Sequence, residues 1–396
     1  MSYDEVINFF DKDELIELTQ KLISIPSYHG LPEPEKEISN YIYNYFIQEG
    51  IETNLIEIMK GRPNVMSSYG DGEDDTKTLM LNGHLDTVPV DNMTIDPFEG
   101  FIKDGNIHGR GAVDMKGPLS AMIMALILVK RANIKLKGKV HFAGVIDEEK
   151  GAEGTRYIVK NGPATKYAIV GEPTDMQIAN GHRGLESIQI TVKGKYAHGG
   201  TPQKGINAIG KMNNIITEIQ TNLLPEIMKR NHPITGPAFF NLGVIQGGTQ
   251  PSTVAGECIL KIDRRWLPNE SRSSIVKELE DIIYDLNKKD KELEAEVKII
   301  SPPESLNIGY PPMVCPESSI LVKTLKKASA NINKETKTIY FPAWTDGSIL
   351  SKYGVETVVF GPGHLSSAHS DIELCPIKDI IEACKIYIYA ILNICS

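Results

Sequence analysis

From Gly117 to Pro173 the chain alternates helix-like with strand-like segments, and this alternation narrows the possible folds more than any other feature. "GPLSAMIMALILVKRA" reads as a buried helix, "KVHFAGVI" as a strand, "GAEGTRYIVKNG" as a helix and "KYAIVGEP" as a strand. Strand and helix succeeding one another at these spacings predict an α/β fold with a mostly parallel sheet and helices on its faces. Upstream, Leu15, Ile16, Leu18, Leu22 and Ile23 recur at helical spacing until Pro26, and a second amphipathic helix over 35–49 ends at Gly50. After Gly181 the pattern changes. "LESIQITVKGK" alternates apolar and polar residues, a helix over 206–223 follows, then "AFFNLGVIQGG", "STVAGECILKID", a helix over 270–286 and "EAEVKII". That order, β-α-β-β-α-β, is a layout able to fold as a self-contained α+β domain. The tail returns to the first style. The expected organisation is therefore one discontinuous α/β domain, residues 1–182 and 301–396, with a smaller domain, residues 183–300, inserted into it.

Composition limits the partners. The chain has 396 residues, 41% hydrophobic and 23% charged, enough for a sizeable core. A net charge of −9 argues against a nucleic-acid or anionic-membrane partner. The run "LSAMIMALILV" is too short to span a bilayer, and the acidic N-terminal stretch has no signal-peptide pattern. Five cysteines without a CxxC pair fit reduced thiols, so a cytoplasmic location is expected.

Several metal-competent side chains fall just past the ends of predicted strands. His84 and Asp86 follow "TLMLNG", and Asp114 lies in "HGRGAVDMKG" ahead of the buried helix. Glu148 and Glu149 follow "KVHFAGVID", Glu172 follows "KYAIVG", and His369 follows "VETVVFGPGHLSSA". The carboxyl ends of strands in an open α/β sheet share one crevice, so residues far apart in sequence meet there. Imidazoles with carboxylates suit Zn²⁺, Co²⁺ or Mn²⁺ rather than Ca²⁺ alone. Two such ions about 3.5–4 Å apart, bridged by a carboxylate, are a device for hydrolysis. Taken singly, each position also fits an ordinary role, as polar surface, loop acid or helix cap. Placement at one common edge is what the ordinary roles leave unexplained. "GRGAVDMKG" lacks the order of a phosphate-binding loop, and no G-x-S-x-G is present for serine hydrolysis.

In order along the chain, "GHLDTVP", "GRGAVDMKG", "DEEKGAEGT", "GEPT", "GKYAHGGTPQKGINAI", "DRRWLP" and "GPGHLSSAHSDIE" resemble the M20 family of metallopeptidases and deacylases. The likeness covers nearly the whole chain and is nearest to acetylornithine deacetylases and succinyl-diaminopimelate desuccinylases. It implies a zinc-peptidase-like catalytic domain holding two divalent ions, with an inserted lid through which the chain forms a homodimer. By this resemblance His84 and Glu172 bind one ion, Glu149 and His369 the other, and Asp114 bridges both. Asp86 orients His84, and Glu148 is the general base. His198 stabilises the oxyanion of a partner subunit's substrate, Arg265 holds a substrate carboxylate, and Thr345 contacts substrate. Ser252 and Thr253 stand where many relatives carry Asn and Val, which leaves the acyl pocket open. His182-Arg183-Gly184 departs from the paired arginines of desuccinylases.

The expected activity is hydrolysis of an amide bond in an N-acyl amino acid, with Zn²⁺ the expected metal and Co²⁺ or Mn²⁺ alternatives. A metallo-aminopeptidase, dipeptidase or carboxypeptidase on the same scaffold is the first rival. An inactive metal- or ligand-binding relative is the second, and Glu148 beside a full ligand set argues against it.

Overall fold

Strands Leu79–His84, Val140–Val145, Tyr167–Val170 and Glu356–Val359 are buried along almost their whole length, as strands covered on both faces must be. In the computed structural model, which describes residues 3–301 and 306–396, these four lie side by side and run parallel. Arg62–Tyr69 pairs antiparallel with Val140–Val145, and Glu52–Met59 extends that flank. On the other side Ile178–His182 pairs antiparallel with Glu356–Val359 and is itself flanked by Met313–Val314 and Thr338–Phe341. Four parallel strands are thus flanked on each side by an antiparallel neighbour.

Helix Gly117–Arg131 explains why the centre is so apolar. Every residue from Gly117 to Val129 is buried, with Leu126, Ile127 and Leu128 wholly inaccessible. It packs against the strands on one side and against the C-terminal helix Ile377–Ile394 on the other. By length and composition Ala112–Arg131 is apolar enough to cross a membrane, yet its apolar stretch as far as Val129 lies inside the structure.

The chain divides into two compact units. One comprises residues 1–181, 313–341 and 345–396, the other 182–312 and 342–344. The second unit is an antiparallel sheet in the order Phe239–Gly247, Glu257–Trp266, Gly184–Lys193, Glu294–Ile299. Burial along Gly184–Lys193 alternates residue by residue, so one face is covered. Ile188, Ile190, Val192, Leu260 and Ile262 meet Met212 and Ile215 of helix Ala208–Glu218, and Ile275 and Leu279 of helix Arg272–Lys289. This unit reaches Pro312 because the backbone N–H of Leu185 donates to the Tyr310 carbonyl at 2.8 Å. Within the same unit the Trp344 Nε1–H donates to the Pro311 carbonyl at 3.2 Å.

Short features not expected from the sequence include strand Ile178–His182 and a small sheet made of Ile102–Lys103, Asn106–His108 and Leu374–Pro376. Segments of two to five residues are too short to show a period. Packing inside the helix carries a measurable prediction. Leu126→Ala leaves a cavity that the fully buried surroundings cannot fill and should cost about 2–5 kcal/mol. Urea unfolding followed by circular dichroism should show the lower midpoint.

Candidate metal centre

The carboxyl ends of the four parallel strands deliver the site. His84 is the last residue of its strand, Glu148 and Glu149 follow Val140–Val145, Glu172 follows Tyr167–Val170, and His369 lies beyond Glu356–Val359. Asp114 comes from the turn Ala112–Lys116 that leads into the buried helix. His369 adopts a left-handed backbone, φ 57°, and its ring is largely exposed.

Asp114 is the geometric centre. Its Oδ1 is 2.9 Å from His84 Nε2 and its Oδ2 is 3.2 Å from His369 Nε2. One carboxylate therefore offers an oxygen to each of two imidazoles. His84 Nε2 is 3.6 Å from Glu172 Oε1, and His369 Nε2 is 3.2 Å from Glu149 Oε1. Two sets of donors, His84 with Glu148 and Glu172, and His84 with Asp114 and Glu149, have atoms within 4.8 Å of one another.

The electrostatics test whether cations fit. Burial, with Glu172 beside it, pushes the Glu148 carboxyl well above its ordinary range. Burial and then Asp114 do the same to Glu172. Glu149 is raised by burial despite its hydrogen bond with His369. Burial alone would lower His84, but Glu172 and Asp114 pull it well above the usual imidazole value. His369 is pushed up to about 10, chiefly by hydrogen bonds to Asp114 and Glu149. So many carboxylates gathered out of water are short of positive charge. Divalent cations would supply that charge, and the nitrogen and oxygen donors present suit a borderline-hard ion.

Two further carboxylates hold the ligand turns in place. Asp86, fully buried, accepts the backbone N–H of Glu148 on Oδ1 at 3.2 Å and that of Glu149 on Oδ2 at 3.1 Å. Glu373 Oε1 accepts the N–H groups of Val113 at 3.0 Å and Asp114 at 3.1 Å, while its Oε2 takes a 2.6 Å bond from Arg110. The sequence suggested that Asp86 orients His84. In the structure the His84 Nδ1–H donates to the Asp86 backbone carbonyl at 2.8 Å, and the Asp86 carboxylate is 3.8 Å away. That carbonyl can only accept, so it fixes the tautomer and leaves Nε2 turned to the cluster. Asp346, also buried, accepts from Thr155 Oγ1 at 2.8 Å, and burial pushes its carboxyl up to about 7.

The remaining candidates lie elsewhere. In the second unit the His198 turn is bridged to Thr253, and the Gly199 N–H donates to the Ser252 carbonyl at 2.7 Å, so His198 and Ser252 are neighbours. Both side chains are exposed. Arg265 lies at the far end of the strand that begins just after Ser252, and Asp263 holds its guanidinium at 2.8 and 3.1 Å. Thr345, in the first unit, is fully buried and its hydroxyl accepts from the Gly347 N–H at 3.2 Å. Glu373, Arg110 and Asp346 had escaped the sequence reading. The acid that closes "HSDIE" was the available signal for Glu373.

A model of peptidase family M20/M25/M40 matches residues 80–393. N-formyl-4-amino-5-aminomethyl-2-methylpyrimidine deformylase of Halalkalibacterium halodurans is 30% identical, covering 95% of this chain and 93% of that one. Acetylornithine deacetylase of Proteus mirabilis is also 30% identical, over 90% of this chain and 91% of that one. Among solved structures, a Staphylococcus aureus tripeptidase superposes with a TM-score of 0.81 at 24% identity, over 97% and 99% of the two chains. A dinuclear metal-binding M20 peptidase of Bacillus subtilis gives a TM-score of 0.72 at 16% identity, over 97% and 98%.

Glu373→Ala should leave the Arg110 guanidinium buried without its carboxylate and the Asp114 turn without its acceptor. The expected loss is about 3–5 kcal/mol of stability, read by urea unfolding, with less Zn²⁺ retained after dialysis.

Proposed function

The chain belongs to peptidase family M20/M25/M40, and we propose that it removes a small acyl group from an N-acyl amino acid or a closely related N-acylated amine. At the coarser level it is a metallohydrolase of amide bonds. The observation that carries the proposal is Asp114 set between His84 and His369, with Glu148 and Glu172 beside them. Relatives named as a deformylase and a deacetylase support a small acyl group, formyl included.

Two divalent ions, Zn²⁺ in this proposal, would be held by His84 and Glu172 on one side, Glu149 and His369 on the other, and Asp114 between. When bound they supply Lewis acidity, polarising the scissile carbonyl and acidifying water. Glu148 takes the proton from the attacking water as the new C–O bond forms. It passes that proton to the nitrogen as the C–N bond breaks, so a carboxylate and an amine leave. Burial and the nearby Glu172 raise its proton affinity, and the ions, when bound, would offset that shift so that it starts as the carboxylate and accepts the proton. His84, pinned through Nδ1, would offer Nε2 to its ion. In the second unit His198 is the proposed oxyanion donor to the partner subunit's substrate and Arg265 the proposed carboxylate ligand, exchanging Asp263 for substrate. Ser252, beside His198, and Thr345, through the turn it shapes, complete the proposed substrate side.

We also propose a homodimer formed through the second unit. Phe239–Gly247 is an edge strand, and it exposes Phe239, Val244 and Ile245. Such an edge invites pairing with another chain. A cytoplasmic location is proposed as well, supported by five cysteines that are all free and buried. A peptidase is the second reading, favoured by the tripeptidase likeness.

Three measurements test these proposals. With Zn²⁺ or Co²⁺ present, formyl-, acetyl- and succinyl-amino acids should be cleaved faster than unacylated di- and tripeptides; the reverse order would favour the peptidase. Glu149→Ala should lower the metal content, whereas Glu148→Ala should keep it and lose about 10²–10⁴-fold in kcat; a fully active Glu148→Ala protein would sink the mechanism. Light scattering should give twice the chain mass, and Ile245→Lys should give the monomer.

A further inference from the structure

His29 stands outside every motif considered so far, yet it touches the residue from which the Glu148–Glu149 turn hangs. Two backbone bonds set its position. The Thr87 N–H donates to the Ser27 carbonyl at 3.1 Å, and the His29 N–H donates to the Thr87 carbonyl at 3.0 Å. The segment around His29 is thereby laced to the segment that follows Asp86. The side chain is only 6% exposed, and its Nε2 lies 2.8 Å from Asp86 Oδ2. Beside an ionised carboxylate, which only accepts, Nε2 must carry the proton.

Asp86 therefore receives three donors: His29 Nε2–H and the backbone N–H groups of Glu148 and Glu149. His29 is the only side chain among them. Arg62, whose charge also acts on Asp86, is taken up by Glu35 at 2.5 and 2.7 Å and by Asp147 at 3.1 Å. The final torsion of an aspartate is soft, so the carboxylate plane follows its donors. That plane must present one oxygen to each of two successive N–H groups. The turn itself needs holding, because Asp147 sits at φ 70°, a strained conformation for a residue with a side chain.

We propose that His29 is a positioning residue that, through Asp86, fixes the turn carrying Glu148 and Glu149. The proposal rests on the base and ligand roles given above to those two residues. Three substitutions separate a donor from a space-filler. His29→Gln places an amide N–H close to the position of Nε2. His29→Asn places it one atom short of Asp86. His29→Met fills the space and donates nothing.

Each variant is stripped of metal and titrated with Zn²⁺ by calorimetry; kcat and KM are then measured on the best substrate from the acyl panel, and the thermal midpoint is recorded. The expected result is that His29→Met and His29→Asn each lose about 10–100-fold in affinity for the weaker ion and in kcat. KM should stay within about threefold, and His29→Gln should recover both losses to within about threefold of wild type. Similar thermal midpoints for the Gln and Met variants, with different Zn²⁺ affinities, would separate positioning from general packing. Equal Zn²⁺ affinity and kcat in the Gln, Asn and Met variants would overturn the proposal, and so would losses that follow the thermal midpoint alone. Zn²⁺ titration needs no substrate. A wild-type protein inert on every amide would refute the proposed function while leaving the role of His29 to be decided by calorimetry.

Discussion

Asp86, Asp114, Glu148, Glu149, Glu172 and Asp346 bring their carboxyl groups, buried or half-buried, to one edge of one sheet. Gathering that many acids out of water is unfavourable unless positive charge is returned to them. Two imidazoles return part of it, and they are drawn toward the protonated form in doing so. Divalent ions at Asp114 would return the rest, and most features of the catalytic unit follow from that demand. Parallel strands bring the ligands to a common edge, and the left-handed backbone at His369 belongs to the loop that brings the second imidazole to it. A helix buried over nearly its full length backs the Asp114 turn.

Holding these ligands against their mutual repulsion requires supports, and the supports follow one plan used twice. Asp86 and Glu373 each accept two successive backbone N–H groups from a ligand-bearing turn, and each is met from behind by a basic side chain, His29 or Arg110. A carboxylate fixed in this way orients a turn without occupying the metal sites. It also adds negative charge nearby, which strengthens the preference for a doubly charged cation.

The parts of this arrangement that were legible in the sequence are those with a local signature. Alternating strands and helices announce a parallel sheet, and acids and histidines just past strand ends announce a shared crevice. Family motifs then add roles to residues that spacing alone leaves ambiguous. The supports had no such signature. His29 lies 57 residues from Asp86, and Glu373 lies 259 residues from Asp114. Pairings of that range appear only once the sheet is assembled. The hold of Asp86 on His84 was hidden for another reason: it passes through a backbone carbonyl, and every residue has one. Substrate choice is less legible still. Named relatives that act on different substrates align with more than nine-tenths of their length, and a methylene of specificity amounts to only about 1–3 kcal/mol.

In this arrangement Asp114 would bridge two ions, one beside His84 and one beside His369. Anomalous diffraction from crystals grown with Zn²⁺ tests it most directly. Two peaks are expected, one on each side of the Asp114 carboxylate and about 3.5–4 Å apart. A single peak, or ions bound away from Asp114, would contradict it.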